Sequence, residues 1–268
     1  MAVDRQVIEG ARRVGAESGV RPAILLAVAM VETRATPFVE IEGAALPLIR
    51  FEGHYFDRHL SEARRETARG AGLAHPRAGR IRNPATQSAR WALFERAADI
   101  DREAACASVS WGLCQVMGAH AGLLGYGTAE ALAREARLSI EGQFTLAARF
   151  LSRGNLAARL ADGDVAGFSR RYNGPAYRSN RYDEKISAAL ARAEILLAEA
   201  QDGDWLARGA RGAGVMRLQI ALRGRGAVIE TDGIFGPRTE AALSLWQGAK
   251  GLPVTGAADA ATRRGLSI

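Results

Sequence analysis

Lysine is almost missing from this chain. Of its 36 Lys and Arg residues, only Lys185 and Lys250 are lysine, so arginine carries the positive charge. The guanidinium fork suits carboxylates and phosphates, although a GC-biased genome produces the same exchange, and that plainer source is preferred. Cysteine is nearly absent too: Cys106 and Cys114 stand alone, which excludes a disulfide scaffold. Both fall in an apolar, helical context and read as two buried thiols. The four histidines form no ligand pattern. His54 and His59 are five apart and no HExxH occurs, while His75 and His120 have no cysteine or carboxylate pattern beside them. No metal site and no cofactor are expected. A GxSxG segment and a catalytic Cys–His pattern are also lacking, so nothing argues for an amidase or peptidase. There is no nucleic-acid-binding motif. The longest apolar stretch, Ala23 to Val31, is too short to cross a bilayer, and MAVDRQVIEGARRVGAESG has no signal-type apolar run. The expectation is a soluble monomer made in the cytoplasm, without an integral membrane segment.

What is present points to helices. At 268 residues the chain exceeds one typical domain, so two unequal domains are expected. Ala- and Leu-rich stretches favour helix. The formal net charge is +7 and unevenly spread: residues 205–268 hold nine Lys or Arg against Glu230, Asp232, Glu240 and Asp259. A basic C-terminal module suits an anionic polymer surface. QDGDWLARGARGAG reads as a linker or domain edge, dividing the chain into 1–204 and 205–268. DGD at 162–164 and 202–204 is too short for a calcium loop and reads as caps or turns.

Residues 4–16 form an amphipathic pattern. Pro22 suits a first helical turn, and AILLAVAMVET continues as a helix apolar enough for a core, ending near Thr36-Pro37. Glu40, Glu42 and Gly43 suggest a turn or short hairpin. LIRFEGHYF starts as a strand or a helix, and residues 66–84 read as a loop rich in Gly, Pro and Arg. Helical pattern resumes at ATQSARWALFERAADID and continues with breaks to about residue 200, most clearly broken at Tyr172-Asn173-Gly174-Pro175.

Glu32 follows the apolar run directly. A carboxyl at the end of a buried helix is partly desolvated, which raises its pKa as a general acid near neutral pH requires. An exposed helix-end glutamate is the plainer reading of that residue alone. Three segments in order change the balance: VAMVET, SVSWGLCQVMG (108–118) and RYNGPAY (171–177). Lytic transglycosylases show a similar series, and residues 20–195 resemble the phage and prophage N-acetylmuramidases of the lysozyme-like superfamily, with LIRFEGHYFDR and ASVSWGLCQVMG especially similar.

The resemblance implies a mainly α, lysozyme-like catalytic domain with a small β-hairpin. It also implies an endolysin-type glycosidase cutting the β-1,4 bond between N-acetylmuramic acid and N-acetylglucosamine in peptidoglycan. Glu32 takes the acid role. Thr33 keeps the hydroxyl that follows it, where transglycosylases commonly have Ser. Gln115 offers a donor and an acceptor to N-acetyl groups, Ser110 and Gly112 allow close approach to the cleft, Tyr172 would hydrogen-bond the catalytic carboxyl, and Asn173 would contact sugar. Met117 and Tyr177 read as core packing, with Trp111 open. Glycosidases normally need a second carboxylate. Glu52 is the first choice, ahead of Glu42, Glu40 and Asp57, and its competing reading is a structural glutamate paired with a cleft arginine. A transglycosylase giving 1,6-anhydro ends, or a non-catalytic wall-binding protein, remains the alternative. An enzyme of this kind acts only once released from the cytoplasm to the wall.

Residues 214–266 resemble the three-helix peptidoglycan-binding domain. Val215, Leu218 and Leu222 form one apolar stripe; Thr239, Ala242, Leu243 and Trp246 form another. Asp232-Gly233 supplies a turn and Gly236-Pro237 starts a helix. Exposed polar groups would bind the wall, with Asp232, Arg238 and Gln219 as candidates.

Overall fold

The computed structural model describes residues 3–201 and 206–268 and divides the chain into two compact units, Met1–Leu197 and Ala198–Ile268. The expected boundary at 204/205 and the DGD at 202–204 lie outside the described residues.

The first unit is built around one apolar helix. α1 (Arg5–Ser18) starts where the Asp4 side chain accepts from the Gln6 N–H and stops at left-handed Gly19, a start and a stop of standard chemistry. α2 (Pro22–Thr33) begins with Pro in its first turn and buries every residue from Ala23 to Ala29. Its end is unusual. Arg34 and Ala35 both have positive φ (56° and 57°), a left-handed pair without glycine that holds the chain just past Glu32.

The hairpin is present. β1 (Phe38–Ile41) and β2 (Ala44–Pro47) pair antiparallel from Phe38↔Pro47 to Ile41↔Ala44. Glu42 and Gly43 turn between them with φ of 52° and 79°, the two positive angles that match strand twist. LIRFEGHYF turns out to be both alternatives: β3 (Ile49–Phe51), then α3 (Gly53–His59). The 66–84 loop is shorter than expected, because α4 runs Glu62–Gly70.

α5 (Gln87–Ile100) and α6 (Arg102–Ala107) follow. The helical reading of the next stretch is corrected here: β4 (Val109–Trp111) and β5 (Val116–Met117) join β3 in a sheet of order β3-β4-β5. Cys114 lies in their turn rather than in a helix. Strand alternation sends Ile49 and Phe51 into the core and leaves Arg50 exposed opposite Ser110. Trp111 packs edge-to-face against Trp91 and Phe94 and its indole N–H donates to the Cys106 carbonyl at 3.1 Å. That settles it as core.

α7 (Ala129–Leu138), α8 (Ile140–Arg153), α9 (Leu156–Ala161), α10 (Val165–Asn173) and the part of α11 (Tyr182–Gln201) up to Leu197 complete the unit. At 162–164 the turn reading holds: Gly163 has φ 80° and Asp164 caps α10 through the Gly167 N–H at 2.9 Å. No described helix is long and apolar enough to cross a membrane.

The second unit packs α12 (Ala213–Arg223), α13 (Pro237–Ala249) and α14 (Ala260–Leu266) around Val215, Leu218, Leu222, Phe235, Leu243 and Trp246. So small a core is supplemented by two buried glutamines. Gln247 donates to the Thr255 and Thr262 hydroxyls and the Ala257 carbonyl, and accepts from the Thr255 and Gly256 N–H groups. Both ends of its amide are satisfied in the interior, as burial requires.

Candidate active site

Glu32 sits in the last turn of α2, where the helix leaves the core. The Tyr182 hydroxyl, from the first residue of α11, donates to its Oε1 at 2.7 Å. Burial pushes the Glu32 pKa up, and this outweighs the Tyr182 hydrogen bond and the Arg50 charge, which pull it down. The carboxyl therefore holds its proton above the ordinary carboxylate range, as an acid catalyst must.

The expected contact from Tyr172 is not made. Its hydroxyl donates to the Cys114 carbonyl at 2.7 Å, while its ring stacks between Phe168 (5.2 Å) and Tyr182 (6.2 Å). Tyr172 therefore ties the β4–β5 turn to α10 and backs the tyrosine that touches Glu32. The chain break after Asn173 explains the exchange. Gly174 has φ 91°, the chain reverses, and the Tyr182 N–H closes onto the Tyr177 carbonyl at 2.9 Å. RYNGPAYRSNRY offers Tyr172, Tyr177 and Tyr182 five apart. Nothing in that spacing selects among them until the turn geometry is known. Tyr177 is buried at 2 % exposure, as core packing required.

Thr33 is 8 % exposed, and its hydroxyl donates to the Ala29 and Leu113 carbonyls. That hydroxyl is committed to protein; Thr33 fixes the end of α2 against the β4–β5 turn and does not face the cleft as a sugar contact. Ser110 is likewise buried, its hydroxyl on the Met117 sulfur at 3.0 Å. Gln115 is half-buried with φ 49°; its amide donates to the Gly112 carbonyl at 2.9 Å and reaches Leu48 at 3.3 Å. Asn173 is exposed at the end of α10.

The turn that these residues line is built without room for side chains. Gly112 has φ 65°, and a Cβ there would meet the Gln143 side chain at 2.7 Å. Sequence reading passed over Gln143. It is 1 % exposed, donates to the Pro37 and Ala136 carbonyls, and accepts from the Leu113 N–H. It pins the hairpin, the β4–β5 turn and α7 together. A glutamine beside Phe144 on the apolar side of GQFTLAARF was the available signal.

Glu52 precedes α3. The Arg50 Nε donates to its Oε1 at 2.8 Å, and His54 Nδ1 lies 3.5 Å from its Oε2. Arg50 also acts electrostatically on Glu32, so one exposed arginine bears on both carboxylates. Asp57 is taken up differently: it is buried and paired with Arg69, which holds its carboxyl below the usual range. Glu40 is exposed on β1, and Glu42 forms the hairpin turn. Among the described residues, no three His, Cys, Asp or Glu side chains are grouped to hold a metal.

In the second unit, Gln219 is not an exposed binding group. It is 1 % exposed and donates to Asp232, the Ile234 carbonyl and Thr239, while accepting from the Gly233 N–H. Asp232 uses one oxygen on Gln219 and the Ile234 N–H, and these bonds lower its pKa. Both serve the Asp232-Gly233 turn. Arg238 is exposed and lines a groove of about 580 Å³ with Arg225, Leu245 and Trp246.

A sequence model of the N-acetylmuramidase family matches residues 21–194, and one described as a putative peptidoglycan binding domain matches residues 211–266. Among solved structures, the crystal structure of a Burkholderia AP3 phage endolysin is similar. It shares 27% identity at a TM-score of 0.60, covering 72% of this chain and 74% of that chain. A comparison with curated proteins finds no match.

Proposed function

The chain belongs to the N-acetylmuramidase family, and from that premise we propose that Glu32 is the general acid of an endolysin-type glycoside hydrolase. The bond cut is the β-1,4 link from N-acetylmuramic acid to N-acetylglucosamine in peptidoglycan. The observation that carries this reading is the Glu32 carboxyl itself: buried at the end of an apolar helix, held at 2.7 Å by Tyr182, with its pKa raised by burial. Protonated, it delivers a proton to the leaving oxygen as the glycosidic bond breaks.

Glu52 is the second carboxylate in this scheme. Arg50 donates to it at 2.8 Å, and a second carboxylate in a glycosidase stabilises positive charge on the sugar ring or activates water. Gln115 and exposed Asn173 contact the glycan. The second unit holds the enzyme on the wall through the groove that Arg238 lines. A peptidoglycan-binding domain matching 211–266 supports peptidoglycan as the partner.

Turnover of purified sacculi by Glu32→Gln and Glu52→Gln, with mass spectrometry of the products, tests the scheme. Glu32→Gln is isosteric and should lose at least ~10²-fold in rate; near-normal activity in a folded variant removes Glu32 from the mechanism. The engagement of Glu52 by Arg50 favours one second reading, in which Glu32 serves as both acid and base. Anhydro ends, together with an active Glu52→Gln, would establish it. Hydrated reducing ends and a Glu52→Gln loss comparable to Glu32→Gln establish the two-carboxylate hydrolase.

A further inference from the structure

The reversal that brings Tyr182 to Glu32 also builds a second concavity. Arg159 of α9, Arg170 and Arg171 of α10, and Arg178 of the 174–181 turn line a pocket of about 530 Å³, floored in part by Tyr177. All four arginines are exposed. Among the described residues, the one carboxylate bonded to any of them is Asp164, 2.6 Å from Arg159. Arg178 donates to the Tyr177 hydroxyl at 3.1 Å, and its guanidinium lies 5.6 Å from the Tyr177 ring centre. Tyr177 is buried, so that guanidinium has a fixed base. Arg170 and Arg171 make no ion pair among the described residues. Four like charges converging on one pocket with a single counter-charge repel one another, an arrangement favoured by an anion that enters.

Continuity with the catalytic segment says which anion. Arg171 directly precedes Tyr172, which stacks on Tyr182. Tyr177, against which Arg178 rests, accepts the Tyr182 N–H. The pocket thus shares the α10–turn–α11 segment that supplies Tyr182 to Glu32, so a polymer with its glycosidic bond at Glu32 would bring its side groups towards it. In peptidoglycan these side groups are peptides whose free carboxylates recur on every muramyl residue, and bidentate guanidinium–carboxylate pairing suits them. We propose that the Arg159–Arg170–Arg171–Arg178 pocket is a specificity subsite that binds stem-peptide carboxylates, so that the enzyme prefers peptide-bearing glycan. This rests on the muramidase reading above.

The test uses the full chain and soluble, uncrosslinked, peptide-bearing glycan strands free of phosphate polymers. One portion is left native; in the other, carboxyl groups are capped as methylamides with carbodiimide. New reducing ends are counted at fixed ionic strength for wild type, R170Q/R171Q and R170K/R171K. Exposed ion pairs contribute about twofold to fivefold each, so capping should raise the wild-type KM by roughly 3–10-fold with kcat little changed. R170Q/R171Q should show that raised KM on native strands and no further response to capping, and the lysine variant should recover part of the difference. A wild-type KM indifferent to capping overturns the subsite, as does a glutamine variant that still responds fully to it. Reduced binding of inorganic phosphate or teichoic acid by R170Q/R171Q, with unchanged KM on these strands, also overturns it in favour of a phosphate-polymer site. Wild-type protein that releases no reducing ends and no anhydro ends from either substrate refutes the muramidase reading instead.

Discussion

Tyr182 and Arg50 pull Glu32 in the same direction, against burial. Both favour the ionised carboxylate, so each sets how far into the alkaline range the acid stays protonated. Tyr182→Phe removes the hydrogen bond and leaves the ring that stacks on Tyr172. The Glu32 pKa should rise further, and the alkaline limb of kcat/KM should move to higher pH while kcat falls through lost positioning. A pH–rate profile on soluble strands reads both; a limb that stays put or moves toward acid assigns it to another group. The same shift has a thermodynamic face. Because the folded state binds this proton more tightly than the unfolded chain, stability is fully present below the ordinary carboxylate range. It is lost as pH rises through the raised value. Glu32→Gln removes that loss, so its Tm should exceed the wild-type Tm at pH 8 and converge with it near pH 4.

At the scale of elements, the chain leaving β5 is held against the end of α6 by close backbone approach. A Cβ on Gly118 would stand 2.0 Å from the Cys106 carbonyl oxygen at the end of α6, and no side-chain rotation relieves a backbone clash. Gly118→Ala should cost about 1–3 kcal/mol, seen as a Tm drop of roughly 2–10 °C by calorimetry. A drop under a degree would show that α6 can slide. The β4–β5 hairpin just before Gly118 marks the limit of what the sequence discloses. α2 is plain from its apolar run after Pro22, the Glu42-Gly43 hairpin from its turn residues, and the first two helices of the second unit from their stripes, with the third following from the resemblance to the three-helix domain. Strands of three and two residues leave no alternation to detect, so Val109–Met117 reads as broken helix. The partners of Thr33 and Gln143 escape for a related reason. Thr33 bonds Leu113, and Gln143 bonds Pro37, contacts that depend on the folded path between distant segments. Glu32 is suggested by its own helix and singled out only by the order of the three segments that resemble the muramidases, whereas the tyrosine facing it depends on a reversal at Gly174.

Across the whole molecule, the segments proposed to carry catalysis all precede residue 183, and the match to the peptidoglycan-binding domain begins at residue 211. Cutting the chain between residues 201 and 206 should leave a first fragment that still cleaves soluble glycan but sediments poorly with intact sacculi. The complementary fragment should sediment with sacculi and release nothing, and raised salt should weaken but not abolish its binding, since its excess positive charge is screened. Equal sedimentation of the first fragment and the full chain would defeat that division of labour. The two thiols divide just as unequally. Cys106 and Cys114 are both buried and both in the first unit, with burial pushing Cys106 up to about 12 and Cys114 higher than its ordinary value. An alkylating reagent can reach either sulfur only when that unit transiently opens. The rate of modification in native buffer thus becomes a built-in clock for breathing of the lytic half, silent to whatever the wall-gripping half does. Saturating glycan should slow that clock. Mass spectrometry of labelled full-length protein, with and without substrate, would read it one sulfur at a time.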